Sequence, residues 1–414
     1  FVKEKDKRAA EKSRKNVLVK PGQPEAGAKF VRIGLVSGAD RAEIKVSTDF
    51  VIKTKKGGLS LGQGAAGQVC TVTVRQDGKI LCRLSPAQTL AACEPVVISP
   101  SDPCGTCTIF GVSVGKDNFW QRSQDRSYRG SIEVSADSGR IRIINKVNLE
   151  DYLYSVVPSE MIPNWPFEAL KAQAVAARSE AMSKLGRHKA EGFDFCAEVH
   201  CQSYAGVEQE TAMTNLAVDE TRGMVLQYKE AIVDAIYSSC CGGHTQDNIY
   251  GNDRKVAYFH GVYDGVEDKN DLFPLSPVDF EAWLRNPSGE IYCNVPDFAR
   301  VSTFRWVRIY TLEEMNEFGA KFGELGAVRK VKAVSRRDSG HLSAVMLVGT
   351  KKSVLIEKEF NIRKAFGNLR SSMFKVEVKY GPGHVPQKFV FYGGGWGHGV
   401  GMCQAGACGM ALTG

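Results

Sequence analysis

The chain has 414 residues, 43% hydrophobic and 24% charged, which is ordinary for a globular protein and long enough for two or three domains. Its formal charge of +8 gives only a weak pull toward anionic partners, and part of the Lys and Arg excess lies in the first twenty residues. No run of eighteen apolar residues occurs, which excludes a membrane-spanning helix or signal peptide within these residues. The chain starts at Phe1 rather than Met, so an upstream segment is expected, and any membrane attachment would run through it.

Residues 1–29 alternate Lys, Arg, Glu and Ala and break at Pro21-Gly22-Gln23-Pro24, the composition of a solvated tether. Residues 30–127 give short β signals and hold five of the twelve cysteines, Cys70, Cys82, Cys93, Cys104 and Cys107. The Asp77-Gly78 pair between β-branched runs predicts a hairpin. With a two-residue turn Thr73 would face Cys82, leaving Cys70 and Cys82 on opposite faces of the ribbon. Cys104-Gly105-Thr106-Cys107 resembles half a zinc knuckle, but a disulfide among Cys93, Cys104 and Cys107, or a metal shared with Cys82, fits equally well. Residues 128–414 are expected to form the main domain. Strands are predicted at 131–134 and 140–145, and the central stretch follows without a linker.

Pro166, the apolar series Leu170, Ala174, Ala177, Ala181 and Leu185, and the cap Gly186 predict a helix with a defined start and stop. Gln173 and Arg178 are expected to point away from its apolar face, towards a cleft or water. Further helices are expected at 210–220, 279–284 and 312–322, and one from about 402 that the chain end cuts short. Strands are expected at 224–228, 231–239, 304–310, 328–334, 344–348 and 374–378. The fold class is therefore α+β: a mixed, mostly antiparallel sheet core with a few helices packed on it and an inserted or appended small β domain.

Two constellations carry chemistry. Glu160 lies in the apolar turn 157–163, beside Met161, Ile162 and Trp165. A carboxyl group there is desolvated and keeps its proton near neutral pH, as a general acid must; a solvated loop Glu is the alternative. His188, Cys196, His200 and Cys201 offer two imidazoles and two thiolates, the donor set of a closed tetrahedral zinc site, against a disulfide or two unrelated buried thiols. Gly192 supplies a bend, and a turn must lie at His200-Cys201 for both to bind.

Residues 148–153 (NLEDYL), 157–161 (VPSEM), 169–178 (ALKAQAVAAR) and 200–204 (HCQSY) resemble the stage II sporulation protein D and amidase-enhancer family. Tyr237-Ser238-Ser239, Gly242-Gly243-His244-Thr245 and the run 394–402 (GGWGHGVGM) continue the resemblance in the same order. It implies an extracytoplasmic lytic transglycosylase acting on denuded peptidoglycan glycan strands, with Glu160 as acid and base. It also implies a structural zinc ion at His188, Cys196, His200 and Cys201. The alternative is a non-catalytic cell-wall module that recruits or stimulates an amidase or another wall-remodelling protein.

Lys171, Gln173, Arg178, Gln202 and Tyr204 suit sugar hydroxyls and carboxylates, and Ser238, Ser239, His244, His398 and Gln404 complete the candidate substrate contacts. The glycine-rich run around His398 lacks the strand and long helix of a dinucleotide site, and no nucleic-acid partner is expected. The family usually has serines where this chain has Cys240 and Cys241, and Ser and Tyr where it has Cys403 and Ala405. A Cys240 or Cys241 nucleophile paired with His244 is a further alternative.

Overall fold

The computed structural model describes residues 17–20, 29–115, 122–247, 256–287 and 289–414. It is an α+β protein in which antiparallel sheets dominate and eight α-helices are described. The helices are α1 (Leu149–Glu160), α2 (Phe167–Ser183), α3 (Ala212–Glu220), α4 (Pro277–Arg285), α5 (Val301–Phe304), α6 (Leu312–Ala320), α7 (Glu359–Ala365) and α8 (Gln404–Thr413).

A seven-stranded sheet runs in the order 195–196, 30–39, 140–148, 131–137, 96–100, 50–54, 60–64. A six-stranded sheet runs 122–129, 106–114, 41–46, 69–74, 80–85, 88–92. The first sheet draws strands from both sides of residue 128, and one apolar core extends from Val31 to Val218 through the sheets and α1. The expected boundary at 128 therefore does not divide the core. Within the stretch expected to be a tether, Val17–Lys20 forms a strand antiparallel to Val225–Tyr228.

The Asp77-Gly78 hairpin forms, but its register differs from the expected one. Val72 faces Cys82 and Val74 faces Ile80, with five residues between. A two-residue turn of this kind needs positive φ at both central positions, and only Gly78 has it among Arg75–Lys79. Gly78 instead closes on the Arg75 carbonyl at 2.9 Å. The one-residue slip places Cys70 and Cys82 on the same buried face, where their thiols interact. The hairpin at Lys229-Glu230 shows the contrast: both residues have positive φ, 48° and 66°, and Tyr228 faces Ala231 directly.

A second core, centred on Trp306, Phe366, Phe374 and Phe391, is built by the three-stranded sheets 305–311/386–394/374–380 and 328–336/342–349/353–357 with α6 and α7. A third cluster joins Met161, Trp165 and Leu170 to Cys240, Cys241, Cys293 and Cys403. This third cluster carries the end of α1 and the start of α8 to one place.

Candidate active site

Glu160 is the last residue of α1, so the expected turn is a helix end. Asn148 starts the helix by accepting the Glu150 N–H at 2.9 Å, and Glu150 and Asp151 complement the dipole of the first turn. Pro158 lies near the C-terminal end and removes one backbone donor there, while Tyr152, Leu153, Val156 and Val157 bury fully against the sheets. Packing of that face outweighs the proline.

The Glu160 carboxylate is half-buried and accepts the Ser203 N–H at 2.5 Å. Burial raises its pKa above the ordinary carboxylate value, and the Ser203 donors pull it part of the way back. Its carbonyl accepts Gln404 Nε2 at 2.9 Å, and the same nitrogen donates to Gln173 Oε1 at 3.1 Å. Gln404 thus ties α8 to both α1 and α2. Tyr237 lies within electrostatic reach of Glu160 and Glu180, and its hydroxyl accepts Gln202 Nε2 at 3.2 Å. A second buried carboxylate, Glu180, is pinned by Lys184 at 2.7 Å. A groove of about 410 Å³ is lined by Ser159, Ser203, Tyr204, Arg122, Arg126 and Glu208. Glu160 does not itself line it but follows Ser159 and accepts the N–H of Ser203.

The candidate contacts divide by environment. Gln173 and Gln404 meet at Glu160, and the Gln173 Nε2 is buried without a hydrogen-bond partner. Arg178 is fully buried rather than directed at a cleft: it forks onto Glu150 at 3.0 and 2.7 Å and donates to the Met224 and Val218 carbonyls. Burial on every side of α2 overrides the amphipathic reading that placed Gln173 and Arg178 outward. Tyr204 is also internal, donating to Asn145 Oδ1 at 2.7 Å. Gln202 accepts from Tyr152 and donates to the Ala177 carbonyl. Lys171 pairs with Glu168 at 2.7 Å and lines a separate, mostly apolar cavity of about 650 Å³ with Val175, Leu226 and Tyr258.

Ser238 is buried beside Gly397, and its hydroxyl lacks a hydrogen-bond partner. The Ser239 carbonyl accepts the Ala405 N–H at the start of α8. His244 packs its ring on Phe273, with centroids 4.1 Å apart. The sulfur of Cys241 is directed at Asp264 and Cys293, and that of Cys240 at the Cys293 carbonyl. His398 accepts the Val400 N–H at 3.1 Å, and burial lowers its pKa to about 4, leaving it neutral. The sequence reading missed Tyr237 as a site residue and missed His341. His341 is fully buried against Gly399, and burial, with His398 next, lowers its pKa to about 3. The Tyr-Ser-Ser run was the available signal for Tyr237; for His341 no local signal existed.

His188, Cys196, His200 and Cys201 converge with their donor atoms all within 4.8 Å of one another. Gly192 bends the chain at φ 88°, and the Cys201 N–H closes the required turn on the Glu198 carbonyl at 2.9 Å. His188 Nε2 lies 3.3 Å from Cys201 Sγ, and His200 Nδ1 lies 3.7 Å from both sulfurs. Ligands about 2.1 and 2.3 Å from one tetrahedral ion stand about 3.6 Å apart, so the four residues fit a single metal ion. Glu191 Oε1 meets His188 Nδ1 at 2.5 Å, as the outer carboxylate of such a site does. The ion would tie the loop after α2 to the turn that leads into Ser203.

A family model described as stage II sporulation protein matches residues 137–228, and one for a domain of unknown function matches residues 247–401. An uncharacterized protein of Brachyspira hyodysenteriae is 30% identical over 287 residues, 69% of this chain and 67% of that protein. The amidase enhancer of Bacillus subtilis is 30% identical over 283 residues, 63% of this chain but only 38% of the enhancer's length. Stage II sporulation protein D of Bacillus amyloliquefaciens is 25% identical over 287 residues, 66% of this chain and 70% of that protein. Among the described residues no helix is long and apolar enough to cross a membrane. The ordered motifs that converge on Glu160 lie within or beside the matched segment, and the chain belongs to the stage II sporulation protein D and amidase-enhancer family.

Proposed function

We propose that the chain acts outside the cytoplasm on the cell wall, as a lytic transglycosylase that cleaves denuded peptidoglycan glycan strands and leaves 1,6-anhydro-muramyl ends. The observation that carries this reading is Glu160: a carboxyl group with its pKa raised by burial, one oxygen held by Ser203, and its neighbours Ser159 and Ser203 lining a polar groove. Because Oε1 accepts the Ser203 N–H, the proton resides on the other oxygen. That proton passes to the glycosidic oxygen as the bond to C1 breaks. The carboxylate so formed takes the proton of the sugar's 6-hydroxyl as that oxygen closes on C1. The sugar supplies its own nucleophile, so one carboxylate suffices and Glu180 remains paired with Lys184. Incubating the chain with denuded strands and finding 1,6-anhydro ends by mass spectrometry tests the reading; intact strands at every enzyme concentration would overturn it.

The identity to the amidase enhancer favours a second reading, in which the chain stimulates a wall amidase without cleaving glycan. An amidase accelerated by the chain while no anhydro ends form would select that reading.

The metal at His188, Cys196, His200 and Cys201 is zinc in this proposal, bound for structure. Metal analysis of the purified chain should lose one equivalent of zinc from this site in His188→Ala. Glu191→Ala should keep the four ligands and weaken zinc binding about 10–100-fold, measured by competition with a chelator.

A further inference from the structure

We propose a second metal site, a closed tetrahedral zinc centre formed by Cys241, Asp264, Cys293 and Cys403. Their ligand atoms all lie within 4.8 Å of one another, and the four residues are 0%, 8%, 2% and 6% exposed. Cys241 Sγ is 3.7 Å from Cys293 Sγ and 3.1 Å from Asp264 Oδ2. Two thiolates 2.3 Å from one tetrahedral ion stand about 3.8 Å apart, whereas a disulfide needs about 2.05 Å. The compact set fits one ion rather than an iron–sulfur cluster, whose protein ligands are spread over two or more irons.

The surroundings are those of thiolate ligands. Cys403 Sγ accepts the Cys241 N–H at 3.2 Å and the Gly406 N–H at 3.3 Å, and Cys241 Sγ accepts the Gly243 N–H at 3.4 Å. A buried carboxylate whose hydrogen bond comes from a thiol is costly unless it is neutralised or coordinates a cation. Gly406 is required here, because a Cβ at that position would meet both Asp264 oxygens at 2.6 Å. Cys240 packs alongside, its sulfur 4.0 Å from the Cys293 carbonyl. Cys240, Cys241, Cys293 and Cys403 share one buried cluster. The ion would cross-link segments 162 residues apart and fix the first turn of α8, whose Gln404 holds the end of α1 at Glu160.

The test is the zinc content of the full chain, purified under reducing conditions, against that of Cys293→Ser. The expected result is one equivalent less in the variant, whatever occupies the His188 site. Equal content in the two proteins overturns the proposal, as does a wild-type mass two daltons low with linked Cys241 and Cys293 peptides. Should Cys293→Ser not fold, cobalt-substituted wild type decides. Thiolate-to-cobalt absorption should match five Co–S bonds if both centres fill, or three if only this one does; an intensity of two bonds or none refutes it.

Discussion

Glu160→Gln is expected to lower the rate of 1,6-anhydro end formation by about 10²–10⁴-fold, the range for losing a general acid and base. Gln retains the shape and can still accept the Ser203 N–H, so the substitution removes the proton and leaves the geometry. The pH dependence carries a sign that checks the cause. Burial raises the folded-state pKa of Glu160 above its unfolded value. Between those two values the folded state binds more protons, so wild-type stability falls as pH rises through that window. Activity that needs the protonated acid falls as pH rises through the folded-state pKa, at the upper edge of that window.

The Gln variant has no such group to ionise. It should unfold at a higher temperature than wild type at neutral pH, and the gap should close below the unfolded carboxylate pKa. A matched pair of scanning-calorimetry series, at pH 4 and pH 7, reads this directly. An inactive variant with a lower melting temperature at neutral pH would mean that the site had collapsed rather than lost its acid.

Much of the α+β layout was legible because period and punctuation agreed. α2 ends at Ser183 with Lys184 as its cap, three residues before the expected Gly186, which takes a positive φ in the following turn, and the Lys229-Glu230 pair joins two strands. The strands at 304–310, 328–334, 344–348 and 374–378 were close to the observed ones. Two misreadings had one source, packing that local pattern does not encode. Pro158 reads as a turn but sits in α1, because four neighbouring apolar residues bury against the sheets. Arg178 reads as a surface cation on an Ala-rich helix, yet α2 is enclosed on every side. The donor sets of the two metal groups differed in the same way. His188 to Cys201 lie within fourteen residues and show their spacing. Cys241, Asp264, Cys293 and Cys403 are scattered along the chain; the pairing of 237–238 with 402–403 and the backbone bonds of Asp264 to Gly243 and Tyr292 assemble them. No local spacing connects the three cysteines to one another or to Asp264.

Arg178→Ala is expected to destabilise the fold by about 3–5 kcal/mol, the cost of leaving a buried charge without its partner. Glu150, with a side chain 12% exposed, loses both hydrogen bonds of its fork, and the Met224 and Val218 carbonyls lose a donor. Arg178 joins α2 to the first turn of α1 and to the end of α3, so the damage reaches the helix that carries Glu160. Arg178→Lys cannot reproduce the planar fork and should recover only part of the loss. Adding Glu150→Gln to Arg178→Ala removes the unpaired charge, so the double variant should be more stable than Arg178→Ala alone. Chemical denaturation of wild type, Arg178→Ala, Glu150→Gln and the double variant gives the coupling energy. An Arg178→Ala chain of wild-type stability with weaker glycan binding would instead place the guanidinium on the substrate.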